Sequence, residues 1–454
     1  MQRNSYEFPI SPLLSELVYG SYLSAKKYLT GYDADTRTIS LTQTLLKELS
    51  VSFEQWPRVT VTGSKGKGST AVFLASILSA SGEKVGLITS PHLRRFNERI
   101  RIDGTCVSDE ELEEAARDIA PAVRSLIATI HPPKYLGPGG IVLALAAKLF
   151  IKHNVTSVIV EAGRGGEYDE SRLIEANISI ITPIMLKHAA RIGPHLTDIA
   201  RTKVRITHPQ NVIITAPQKL AVQKVITSVA REFSSPVLQV GKTIRIMHKR
   251  QTLDATYADF FGEGFTYNNL SLSLLGSYQT ENAAAAVLAG RILTQFGATC
   301  TKEGIYQGLR QVRWPGRCQL VQKIPWVLLD GAINKMSATE IIQIIKKLPA
   351  KRITAVLAIH RAQDLASVCS ILANVVDNII LTEVHTTSLE WDKTDLIKST
   401  SKYFKNPLYI SDVNDAFNYI KNTIKKDDGV VLLGHQSFVG EALSYWNIDS
   451  CRLW

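Results

Sequence analysis

The stretch Val59 to Thr70, Val-Thr-Val-Thr-Gly-Ser-Lys-Gly-Lys-Gly-Ser-Thr, limits the folds open to this chain more than any other. Val59 to Thr62 is a β-branched run that reads as a buried strand. Three glycines then alternate with small and basic residues, and an apolar helical pattern follows at Val72, Phe73, Leu74, Ile77 and Leu78. Strand, glycine loop and helix in that order make a phosphate cradle. The glycines let backbone N–H groups turn toward an anion, and the helix N-terminus adds partial positive charge. Lys67 is placed to reach β- and γ-phosphates, and the hydroxyl of Ser69 or Thr70 to face Mg²⁺. Gly63, Ser64, Lys65, Gly66, Lys67, Gly68, Ser69 and Thr70 are therefore the candidate ATP-binding residues. Their spacing is not the common G-x-x-x-x-G-K-[ST], because Gly68 separates Lys67 from Ser69.

Strands and helices keep alternating after this loop. A strand over Lys84 to Ser90 runs into a polar loop from Ser90 to Ile100, where a doubly wound sheet places ligand contacts. Ser108 and Glu111 form a capping box at the start of a helix, and another helix is expected from Ile141 to His153. The strand Ser157 to Val160 ends in Glu161, followed by glycines. After a phosphate loop, an acid at a strand end reads as a metal ligand or water positioner. The next strand, Ile178 to Thr182, leads to His188, which is expected within reach of Glu161. A helical pattern at Leu196, Ile199 and Ala200 leads to Lys203, and Val212 to Ile214 is a further strand. This is an α/β pattern with a mostly parallel sheet. Residues 235–275 are less regular, with strand-like pieces at 243–247 and 270–274. An alanine-rich helix follows from Ala283 to Leu293.

The Pro/Gly break at Arg313-Trp314-Pro315-Gly316-Arg317 reads as a boundary, giving domains at 1–316 and 317–454. Past it the alternation restarts with a strand at Trp326 to Leu329 ending in Asp330. A second, smaller α/β domain with its own sheet is expected.

Composition narrows the function. The chain has 454 residues and a net charge of +11. Its basic residues are scattered, with no aromatic-interleaved stripe, so a nucleic-acid partner is not expected. The five cysteines are far apart and form no C-x-x-C pair, which argues against a disulfide framework or zinc site and fits a reducing cytoplasm. The N-terminus lacks a signal-peptide pattern, and no apolar run approaches the ~20 residues of a membrane span. Small-molecule substrates and a monomer or small homo-oligomer are the expectation.

Taken together, the phosphate loop, Ser90-Pro91-His92-Leu93, Phe96-Asn97-Glu98-Arg99-Ile100, Asn282-Ala283-Ala284, Trp314-Pro315-Gly316-Arg317 and Asp330-Gly331-Ala332 resemble the Mur ligase superfamily, in its folylpolyglutamate synthase/dihydrofolate synthase branch. The likeness runs from about residue 10 to residue 445. It implies a P-loop parallel-sheet domain followed by a smaller Rossmann-like domain, and an ATP-dependent ligase. Such an enzyme joins L-glutamate to a folate- or pterin-type acid through an acyl phosphate. By position, Lys67 and the loop amides would hold phosphates. Ser69, Ser90, Glu161 and His188 would hold one or two Mg²⁺. Lys203 would be the carbamylated lysine, Asn282 would contact adenine, Arg317 the phosphates, and Asp330 would contribute from the second domain.

Four positions depart from the family pattern. Lys187 stands where the family has Asp before the metal-site His. Ile333 replaces the His of Asp-Gly-Ala-His-Asn. His435 replaces a Ser after Gly434, near the expected glutamate site. Leu136-Gly137-Pro138-Gly139-Gly140 replaces a Thr-Phe-Phe-Glu type stretch. Such swaps imply altered acceptor and amine pockets, with another acid or amine, or a non-catalytic nucleotide-binding chain, as the alternatives.

Overall fold

β1 (Arg58–Thr62) lies inside an eight-stranded sheet because it is buried on both faces. The other strands are β2 (Val85–Ile88), β3 (Ile100–Ile102), β4 (Thr105–Cys106), β5 (Ser157–Glu161), β6 (Ile178–Ile181), β7 (Val212–Thr215) and β8 (Val237–Gln239). Their order is β4-β3-β2-β5-β1-β6-β7-β8. All pairings from β2 to β8 are parallel, while β3 and β4 add an antiparallel edge. β1 therefore sits between β5 and β6, where connections leave in opposite directions. This is the switch point at which an open α/β sheet forms its ligand crevice. The structure is a computed structural model and describes residues 10–332, 334–359, 362–384 and 393–454. Ile333 lies outside them.

The helix Lys67–Ala80 is covered on every side, with Ala71 to Leu78 wholly inside. It packs on the sheet and beneath the helices Gln279–Leu293 and Lys302–Gln311. The alanines 283–286 let the first of these approach closely, which explains the alanine-rich run. Residues 244–272, read from sequence as irregular, form an antiparallel three-stranded sheet of β9 (Ile244–Gln251), β10 (Thr256–Gly262) and β11 (Phe265–Leu272). β10 escaped the sequence reading, because bulges in both of its pairings break the apolar alternation.

Past residue 318 a six-stranded sheet follows, in the order β12-β13-β17-β14-β15-β16. It comprises β12 (Gln319–Lys323), β13 (Trp326–Asp330), β14 (Ile353–Ala358), β15 (Asn378–Glu383), β16 (Leu408–Asp412) and β17 (Gly429–Gly434). Only β12 is antiparallel. The last residues then return to the first sheet. Arg452 bridges Thr105, Leu453 is buried in the core around the helix Lys67–Ala80, and Trp454 Nε1 donates to Ser79 Oγ at 3.1 Å. Among the described residues, no helix is long and apolar enough to cross a membrane.

Candidate active site

A cavity of about 550 Å³ opens where the C-terminal ends of β1, β2 and β5 face those of β13 and β17. One wall is the glycine loop from Ser64 to Ser69, with Ser90, Glu161 and Lys187. The other carries Arg317, Asp330, Asn334 and His435, while Asn282 and Trp314 close a side.

The loop is shaped by two close approaches. Gly66 caps the helix in the left-handed region at φ 87°, where a Cβ would stand 2.5 Å from Asn282 Oδ1. The amide of Asn282 is fixed in turn, its Nδ2 donating to Gln279 Oε1 at 2.8 Å. Ser64 is pinned to the segment after β6, since its N–H donates to Pro183 O at 3.0 Å and its Oγ accepts from Met185 N–H at 3.0 Å. The loop is thus held open from outside, with its helix N-terminus facing the cavity.

Glu161 ends β5 at the cavity wall. Its Oε2 accepts from Ser90 N–H at 3.1 Å, and its Oε1 stands 3.9 Å from Lys67 Nζ. Burial raises its pKa, opposed mainly by Lys67 and by the Ser90 N–H. Across the cavity, Asp330 Oδ2 accepts from Cys318 N–H at 2.8 Å, and burial raises its pKa against the pull of Arg317. Lys65 reaches over from the loop, its Nζ donating to Asn334 Oδ1 at 3.4 Å. Burial and then the charge of Lys187 lower its pKa to about 8.

The sequence candidates do not all meet. Ser69, Ser90 and Glu161 line the cavity together, as do Lys67, Arg317, Asp330 and Asn282. His188 is exposed, has φ 60°, and is not in the lining, where its neighbour Lys187 stands instead. Lys203 is buried outside the lining and donates to Arg164 O at 3.0 Å; burial, then Lys67, lowers its pKa to about 7. Of the two hydroxyls after the loop, Ser69 faces the cavity, whereas Thr70 Oγ1 is buried without a hydrogen-bond partner among the described residues.

Sequence reasoning gave no role to several residues at the site. Arg101 lies over the Trp314 ring, 5.7 Å from its centroid, and donates to Ser450 O at 2.9 Å. Glu98 accepts from the N–H groups of Leu93, Arg94 and Arg95 at 2.7, 3.1 and 3.1 Å, and from Ser450 Oγ at 2.7 Å. Nothing in the string around Ser450 announces that it reaches the cavity.

The departure at Leu136–Gly140 has a packing cause. A Cβ at Gly137 would stand 2.0 Å from Glu170 Oε1, and one at Gly139 2.8 Å from Oε2. Glu170 is buried there and pairs with the guanidinium of Arg37, which also stands 3.6 Å from Asp169.

Comparison with known proteins agrees with this architecture. Residues 316–436 match the family described as Mur ligase, glutamate ligase domain. The dihydrofolate synthase/folylpolyglutamate synthase of Bacillus subtilis is 29% identical, over 84% of this chain and 88% of its own. That of Escherichia coli is 28% identical, over 93% of each chain. The solved structure of E. coli FolC in complex with DHPP and ADP superposes with a TM-score of 0.80 at 25% identity, covering 98% of this chain and 99% of that one. Mycobacterium tuberculosis folylpolyglutamate synthase complexed with ADP and AMPPCP has the same fold, with a TM-score of 0.81 at 24% identity.

Proposed function

We propose that this chain, related over most of its length to the folylpolyglutamate and dihydrofolate synthases of the Mur ligase superfamily, is an ATP-dependent carboxylate–amine ligase that adds L-glutamate to a folate- or pterin-type acid. The observation that carries the reading is the facing of Lys67 and Glu161, on the phosphate-loop side, with Arg317 and Asp330 across one cavity.

In this reading the chain divides at residue 316 into an ATP-binding domain and a C-terminal domain. A carboxylate oxygen of the acid attacks the γ-phosphorus of ATP, the bond to the bridging oxygen breaks, and ADP leaves. The amine nitrogen then attacks the acyl phosphate carbonyl, loses a proton, and releases phosphate as the amide forms. Lys67, Arg317 and the loop N–H groups hold phosphate oxygens in place, and the two walls keep water from the acyl phosphate. Asn282, packed against Gly66, faces the base. Asp330, with its raised pKa, is a candidate to receive the amine proton.

Glu161, Ser69 and Ser90 present hard oxygens, and Mg²⁺ typically takes one or two carboxylates together with substrate phosphates and water. The donor set therefore fits Mg²⁺, which would neutralise charge on the phosphates. His188 is exposed and would need to swing inward to join it. Lys203 suits carbamylation because a pKa near 7 leaves much of its amine neutral and nucleophilic at ordinary pH. The five unpaired cysteines fit a cytoplasmic setting.

The test is phosphate release from ATP and Mg²⁺ with dihydropteroate or a folate plus L-glutamate, with mass spectrometry of the product. A new glutamyl amide supports the reading. Turnover only with another acid or amine would keep the chemistry and replace the substrate; the Glu170–Arg37 pair behind Gly137 and Gly139 is the observation that favours this second reading. Nucleotide binding without turnover on any pair would sink the ligase assignment.

A further inference from the structure

Lys187 is a cation in the cavity that the reaction described above does not use. Its side chain lines the same space as Lys67, Ser69, Glu161 and Arg317. Among the described residues its ammonium makes no hydrogen bond and no ion pair; burial first, then the charges of Lys67 and Arg317, disfavour its charge, and Asp364 only partly offsets them. With Lys65, whose pKa the charge of Lys187 also lowers, four cations gather in one half-buried place and repel each other unless an anion joins them.

The acids of the cavity are already engaged. Glu161 is held by Ser90 and Lys67, Asp330 by Cys318 N–H, Glu98 by three backbone N–H groups, and Glu281 stands 3.8 Å from Lys249. Glu340 is exposed at the rim and faces Lys65. Among the described residues no group of three or more His, Cys, Asp or Glu side chains is arranged to hold a metal ion. On the glycine-loop side the site therefore offers a divalent cation one carboxylate, Glu161, and the same cavity holds an ammonium where the resemblance calls for an aspartate.

We infer that Lys187 is a built-in cation of the phosphoryl-transfer site, balancing the charge that a second divalent ion would otherwise balance, so that the chain holds nucleotide with a single divalent ion. The inference rests on the ligase reading. An ammonium on a flexible stem can follow phosphate oxygens as they move, and it demands neither octahedral geometry nor dehydration of an ion.

Counting ions tests this. Protein saturated with AMPPCP is titrated with Mn²⁺, and free Mn²⁺ is read by electron paramagnetic resonance. The wild-type chain is expected to retain one Mn²⁺ per bound nucleotide, and Lys187→Asp two. Lys187→Met should retain one and bind the nucleotide about tenfold more weakly, a typical loss for a hydrogen bond to a charged group. Lys187→Arg, which keeps the charge, should bind like wild type. The Met and Arg variants carry the test on affinity alone if Lys187→Asp does not fold. Two Mn²⁺ on the wild-type chain, or unchanged affinity in Lys187→Met, would overturn the inference and leave the ligase reading standing. No nucleotide binding by the wild-type chain would overturn both.

Discussion

The indole of Trp314 rests directly on Gly68: a Cβ at that glycine would stand 2.7 Å from Cζ2 of the ring. Gly68 is also the residue that lengthens the spacing between Lys67 and Ser69. It lies within the first turn of the helix Lys67–Ala80 and is not among the glycines with positive φ, so its backbone would accept alanine. The side chain alone is what the site refuses. Gly68→Ala should therefore push Trp314 off the loop, lowering thermal stability by about 1–3 kcal/mol, as for an overpacked core, and weakening nucleotide binding with it. Trp314→Phe in the same molecule should recover part of both losses. Additive damage in the double variant would mean that the two residues are not coupled.

Among the described residues, Glu161 is the one acid in the cavity placed within 4 Å of Lys67 Nζ. Glu161→Gln keeps the shape and an oxygen for Ser90 N–H, but removes the charge that a divalent ion needs. Turnover should fall by about a hundredfold or more, the usual scale for losing one electrostatic element of a transition-state site. AMPPCP binding in the absence of divalent ions should be unchanged or tighter, because a negative charge near the phosphates has gone. An unaltered rate would show that the ion sits elsewhere.

Lys65 gives the site a pH dependence. Its pKa is lowered to about 8 by burial and by Lys187, so it is charged below that value and loses its proton above it. Nucleotide affinity should decline as pH rises past about 8, and binding there should take up a proton. Stability runs the other way. Between about 8 and the ordinary lysine value near 10.4 the unfolded chain holds a proton that the folded chain has released, so stability rises with pH across that window. Lys65→Met should flatten both slopes, read by calorimetry of AMPPCP binding and by chemical denaturation from pH 7 to 10.

The glycine-loop side of the cavity was legible because its elements are local. Strand, loop and helix are consecutive, and Glu161 ends a strand adjacent to β1. What the sequence hid depends on pairings distant along the chain. Ser450 meets Glu98 and Arg101 only because the last residues fold back onto β4. Glu98, within a string that reads as ligand-contacting, proves to spend its carboxylate capping the loop from Leu93 to Arg95. Lys187 lines the cavity while its neighbour His188 stays outside it, an outcome that depends on the turn after β6, where His188 has a left-handed φ. No periodicity announces that.

The segment from Leu136 to Gly140 carries a testable packing conflict. Gly137 and Gly139 leave room for a buried carboxylate, and that carboxylate is paired to Arg37. A side chain at Gly137 would have to displace Glu170, separating it from Arg37, which would keep only Asp169 at 3.6 Å, and leaving the buried Glu170 carboxylate without its partner. Breaking a buried pair in this way typically costs about 3–5 kcal/mol, so Gly137→Ala should destabilise the chain on that scale. Glu170→Gln retains the volume and one acceptor for Arg37 and should cost less. The combination of Gly137→Ala with Glu170→Ala vacates the space that the new methyl enters, though it still leaves Arg37 facing Asp169 alone. Thermal denaturation of the three variants should then rank Glu170→Gln as most stable and Gly137→Ala as least. If Gly137→Ala melts like wild type, Glu170 has room to move, and the glycines at 137 and 139 answer to something other than this ion pair.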